Sequence, residues 1–175
     1  MSGAITEAGD LGTPGLLRRL ACMLYEGVLL FGVLMATGLV YSVATQERNA
    51  LQGLHGLQFV VFVVLGIYFV GFWSSRRGQT LAMQTWHIRL VTRDGSRVSR
   101  SRALARYLLA WVWFLPALAS VYSSGIRGPG VTFATLGVGM LVYAASSRLH
   151  PDRQFWHDAA CGTRLVTWRP RLPAG

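Results

Sequence analysis

A chain of 175 residues that is 52% hydrophobic and only 14% charged, with a mean hydropathy of +0.38, falls short of the charge that a soluble domain carries, about a quarter of its residues. Its net charge of +10 rests on 17 arginines and no lysine against seven acids. The arginines gather at the ends of apolar runs, where they meet anionic lipid headgroups; a nucleic-acid partner is therefore not expected.

Residues 1–16 read as a flexible cytoplasmic lead-in. The first fifteen hold Glu7 and Asp10, no Lys or Arg and no apolar core, which argues against a cleavable signal peptide. Crossing a bilayer takes about 20 apolar residues, since the hydrocarbon is ~30 Å thick and a helix rises 1.5 Å per residue. Four stretches fit that length: Leu20 to Ala44, Gly53 to Trp73, Leu104 to Tyr122 and, shortest and richest in small residues, Val131 to Ser147. The fold class expected is an all-α membrane protein of four transmembrane helices. Tyr41, Trp73, Trp111, Trp113 and Tyr122 near the span ends suit the headgroup level.

Arginines are retained on the cytoplasmic side. The segments before the first span, between the second and third, and after the fourth hold 15 of them; the other two connections hold only Arg48 and Arg127. That asymmetry predicts both termini inside. The connection from Ser74 to Ala103 is the longest polar segment. Within it, Trp86, Ile88, Leu90 and Thr92 alternate with His87, Arg89, Val91 and Arg93 ahead of an Asp94-Gly95 turn signal, the pattern of a short strand or an interfacial segment. The preceding GQTLAMQTW suits an amphipathic turn with Leu81, Met83 and Trp86 dipping into the headgroups.

Glu26 is the candidate for chemistry inside a span, because an ionisable group there costs a few kcal/mol. Arg19 lies two turns earlier on the same face, about 10 Å away along the axis. Glu26 reads either as part of an intramembrane ion network or as a residue that snorkels to the headgroups. His150, Asp152, His157 and Asp158 crowd nine positions, but their spacing matches no metal-ligand pattern, and the simpler reading pairs Asp158 with an arginine. Cys22 and Cys161, far apart, suggest neither a disulfide nor a zinc site. No nucleophile elbow, P-loop, dinucleotide fingerprint or zinc-protease motif occurs, so no catalytic residue, cofactor or metal is expected. Gly32 and Ala36 form a small-xxx-small pair that permits close helix packing.

Three segments together resemble the RDD family of small bacterial membrane proteins, over about Leu17 to Val166. RRLACMLYEG places Arg19 at the family arginine and Glu26 at the first aspartate. GQTLAMQTWHIRLVTRDG, followed by ALARYLL, is similar to the family's Gly-x-Thr-Leu-Gly stretch, its Val-rich segment and the arginine that opens the third span, here Arg106. FWHDAACGTRLV places the last acid at Asp158 and the family's Gly-Thr at Gly162 and Thr163. The sequence departs from the family where Glu26 replaces an aspartate and where Ala82 and Met83 stand for a usual Gly-Lys pair.

The resemblance implies one membrane domain over 17–166, a cytoplasmic tail over 167–175, and residence in the bacterial inner membrane with both termini cytoplasmic. It brings a transport role, with sodium/proton antiport suggested for some members. Two functions stay open: an ion-coupled transporter component whose site is drawn from Arg19, Glu26, Arg106 and Asp158, and a non-catalytic adaptor or assembly protein in which the same four form a structural network at the cytoplasmic face. The partners expected are anionic lipid, an unknown small ion or solute, and further copies of the chain.

Overall fold

The computed structural model describes residues 12–46, 54–112, 114–124, 128–149 and 154–168. The first two helices, α1 (Leu16–Thr45) and α2 (Leu54–Ser74), are followed by the short α3 (Leu81–Thr85), the strand β1 (Ile88–Thr92), then α4 (Arg100–Val112), α5 (Phe114–Ser124) and α6 (Pro129–Ser146). A 3-10 turn over Ser147–Leu149, the short α7 (Trp156–Ala160) and the strand β2 (Thr163–Thr167) complete the described chain.

Among the described residues, three segments are long and apolar enough to cross a membrane: Leu16–Thr45, Leu54–Ser74 and Gly130–Leu149. Their large side chains point outward. Phe31 is 64% exposed and Ile67 70%, as expected of helices that are apolar all round and solvated by lipid. Most of the third expected span, Leu104 to Tyr122, is helical: α4 runs to Val112 and α5 from Phe114, with residue 113 outside the described residues. The fourth expected span lies in α6, which opens at Pro129, a residue preorganised for a helix start.

The helices are joined at one end by a cap made of α3, β1, α7 and β2. β1 and β2 pair antiparallel, Ile88 opposite Thr167, Leu90 opposite Leu165 and Thr92 opposite Thr163. The all-helical expectation is corrected here: a strand forms where the alternating pattern lies, and its partner comes from the C-terminal segment. Asp94-Gly95 does make a turn, with Gly95 at φ +80° and its N–H on the Thr92 carbonyl at 3.0 Å. On its other side β1 is flanked by residues 78–80, where Leu90 N–H donates to the Gly78 carbonyl at 2.9 Å. Gly78 sits at φ +60°, and a Cβ there would lie 2.6 Å from the Leu90 oxygen, so glycine is required twice over.

The cap holds most of the buried core. Ile88, Leu90 and, on the other face of the strand pair, Val166 are each 1% exposed, and Met83, Ala82, Val98, Phe155 and Leu165 pack with Ile88 and Leu90. Met83 therefore faces the protein interior and does not dip into headgroups, whereas Leu81 is exposed. Each of these aliphatic side chains contributes about 1.5–3 kcal/mol by burial. Four helix ends meet this core. Arg18 at the start of α1 donates to the Trp86 carbonyl at 2.7 Å, Trp73 ends α2, Arg106 lies in the first turns of α4, and Tyr143 near the end of α6 stacks on Phe155.

Candidate functional site

The charged residues separate into two clusters. In the first, Glu26 is 7% exposed and lies where α1 meets α2 and α3. Its Oε1 accepts from the Tyr68 hydroxyl of α2 at 2.6 Å, and its Oε2 accepts from the Thr80 hydroxyl. Thr80 is also the N-cap of α3, accepting from Met83 N–H at 3.3 Å. One hydroxyl thus ties the buried acid to the start of a helix, its proton going to Glu26 and a lone pair to the backbone. No arginine touches Glu26 among the described residues. Arg19 and Glu26, about 10 Å apart on one face of α1 by helix geometry, form no ion pair among the described residues.

The second cluster surrounds Asp158, which is 0% exposed. Its Oδ1 accepts from Arg106 Nε at 2.5 Å and from the Thr163 hydroxyl at 3.3 Å. The Arg106 guanidinium lies 4.0 Å from the centre of the Trp73 ring. A single side chain therefore joins α4 to α7 by charge and to α2 by a cation-π contact. Thr163, the first residue of β2, holds the same acid to the strand pair and also donates to the Asp158 carbonyl at 3.2 Å.

Arg19, 3% exposed, stacks its guanidinium 4.7 Å from the Phe155 ring and lies within electrostatic reach of Asp158. Its Nε and Nη1 have no hydrogen-bond acceptor among the described residues. Ring and charge hold it, and a direct ion pair does not. Arg106 and Asp158 are brought together, Arg19 stands beside them, and Glu26 is apart.

His157 completes this cluster. Its backbone N–H donates to the Tyr143 oxygen at 3.3 Å, which leaves the Tyr143 proton to point at Nδ1, 2.5 Å away. Nδ1 is thereby assigned as acceptor, and Nε2–H faces Asp158 Oδ1 at 3.6 Å. Burial pushes the His157 imidazole down to about 4, with Asp158 pulling the other way and Arg106 adding to the fall. Burial also opposes the Asp158 charge, but Arg106, then His157, and the hydrogen bonds from Arg106 and Thr163 outweigh it and hold the acid below the usual carboxylate range. His150 and Asp152, the other members of the crowded acidic and histidine stretch, lie outside the described residues.

The RDD family profile matches residues 13–162, from the segment before α1 to the turn before β2. The chain belongs to the RDD family. No curated protein and no solved structure matches it significantly. Within this RDD chain the geometry accounts for the residues that carried the resemblance. Gly78 is the tight approach to β1, Thr80 the cap that binds Glu26, and Asp158 the acid under Arg106. Gly162, at φ +63°, turns the chain from α7 into β2.

Sequence reasoning missed Tyr68, Tyr143 and the Thr80 bond. Tyr68 carried a signal, a hydroxyl in the middle of an otherwise apolar span. The Thr80 bond joins positions 54 apart in sequence, which no periodicity reveals.

Proposed function

We propose that this RDD protein is a multi-pass membrane adaptor or assembly protein whose charged residues fasten the cap to the ends of its membrane helices. The observation that carries this reading is the Arg106–Asp158 pair, buried under Trp73 and so linking α2, α4 and α7 at one point. A carboxylate paired with arginine and further hydrogen-bonded resists protonation and suits a fastening better than a proton carrier. In this reading α4 and α5 together make a third crossing, the chain spans four times with both termini in the cytoplasm of a bacterium, and the cap lies against the inner leaflet, its surface arginines over anionic headgroups. The 15-to-2 arginine split supports that orientation. So does the meeting of the α1 start, α2 end, α4 start and α6 end at one cap. Reporter fusions after Arg48 and after Arg127 should read as periplasmic, and fusions at Arg93 and the C-terminus as cytoplasmic.

A second reading, an ion-coupled transporter such as a sodium/proton antiporter, is favoured by one feature: Glu26 is a buried acid with hydroxyl partners and, among the described residues, no paired cation. Association of copies through the outward apolar faces would supply the walls of a pathway. Purified protein in sealed vesicles, given a panel of ion and pH gradients, separates the two. The adaptor gives a flat response to every gradient. A flux abolished by Glu26→Gln with the fold intact would establish the transporter.

A further inference from the structure

The α2 helix carries a groove of about 490 Å³ on its outer side, next to the Glu26 cluster. Its wall within the span is Ile67, Tyr68, Gly71 and Phe72. Past the end of α2 the lining turns polar, with Ser75, Arg77 and Gln84. The apolar part runs straight into the lipid-facing side of α2, where Ile67 stands 70% exposed, and Gly71 leaves the wall open, a Cβ there meeting nothing within 4 Å. The site is therefore apolar at membrane depth and cationic at one end only, at the level where the helix leaves the hydrocarbon.

We propose that this groove holds an anionic phospholipid of the surrounding leaflet, one acyl chain lying along Ile67, Gly71 and Phe72 and the phosphate at Arg77. Charge complementarity selects this occupant, since the lining contains one arginine and no acid. Among the described residues Arg77 makes one side-chain hydrogen bond, Nη1 to the Gln84 Oε1 at 3.2 Å. That bond uses one of five guanidinium donors and leaves the others for phosphate oxygens, which a planar fork can take in pairs. A helix from a second copy would fill the apolar part but bring no anion to Arg77. The volume lies within the range of about 300–1,000 Å³ usual for small-molecule sites.

The site goes beyond a general attraction of surface arginines to the leaflet, because Tyr68 is shared. Tyr68 lines the groove, and its hydroxyl donates to Glu26. A bound chain packs on the residue that holds the buried acid, so occupancy of the groove and the geometry at Glu26 are linked.

Photo-crosslinking tests this on the purified full chain in mixed micelles, with phosphatidylglycerol or phosphatidylcholine bearing the same diazirine acyl chain and labelled peptides read by mass spectrometry. The expected label falls on 67–75, with phosphatidylglycerol favoured about five-fold, the ratio that one basic residue gives at an anionic surface. Arg77→Gln should remove the preference but not the phosphatidylcholine label, and Arg77→Lys should keep part of it. Gly71→Leu, which the open space accommodates, should remove the label at this groove for both lipids. Equal labelling by the two lipids, label spread evenly over α1, α2 and α6, or α2-to-α2 crosslinks between copies in place of lipid would each overturn the proposal. Unchanged thermal unfolding of the variants guards against reading a misfolded chain.

Discussion

The cap and the membrane helices are built on opposite plans. In the cap, short elements with little helical or strand length of their own bury many of their side chains, and Ile88, Leu90 and Leu165 share a core that would suit a small soluble domain. In α1, α2 and α6 the order is reversed: backbone hydrogen bonding is satisfied within each helix, and the large apolar side chains face outward. The hydrophobic effect drives burial only where water is the alternative. Lipid removes that drive between helices, so side-chain packing concentrates at the end where the chain meets water. The charged family residues sit at the junction of the two regions.

If that contrast is right, the largest effects belong to the junction. Replacing Arg106 by Met or Asp158 by Leu strands one member of a buried pair and should cost about 3–5 kcal/mol in unfolding measured in detergent. Replacing an outer residue by a comparable truncation should cost little. Leu90→Ala in the cap should lose about 2–5 kcal/mol, while Phe31→Ala or Phe133→Ala on the outward faces should fall within about 0.5 kcal/mol. A large loss at Phe31 would show that the outward face is covered by protein and would break the comparison.

Acid sharpens it further. His157 is neutral in the fold, with a value near 4 against 6.5 for the free residue. Its contribution is complete above 6.5 and is lost as the pH falls from 6.5 to 4, because the unfolded chain takes up a proton that the folded one refuses. The loss amounts to roughly 3 kcal/mol. Asp158, depressed below its ordinary value, adds to the loss only at still lower pH. Unfolding followed across that window should show the cap loosening first, and His157→Phe, which keeps the stack on Phe155 but not the titration, should flatten the dependence.

The smallest effects separate two glycines. Gly78→Ala meets both positive φ and the Leu90 oxygen and should cost about 2–3 kcal/mol, whereas Gly95→Ala, at positive φ with open space around it, should cost about 1 kcal/mol. Melting temperatures of the two variants compare them directly.

What could be read from the residues follows the same division. α1 and α2 were legible because a lipid-crossing helix is specified by length and apolar composition, both local properties. β1 was legible from its alternation, but β2 was not. TRLVT acquires its strand only by pairing with a segment far back in the chain, and a loop reading was the natural one. The charges pointed to the junction, since an acid deep in the chain's apolar end needs a partner. They did not name the hydroxyls of Tyr68 and Thr80, which come from 42 and 54 positions away.

The account turns on whether Arg106 and Asp158 act together to hold the cap. Hydrogen exchange of residues 88–92 and 163–167 in the parent, Arg106→Met, Asp158→Leu and the double variant measures that coupling. The prediction is fast exchange through both strands in each single variant, with α1 and α2 still protected, and recovery of most of the protection in the double variant, where an apolar pair replaces the ions. Exchange in the double variant that equals the sum of the two single effects would contradict it.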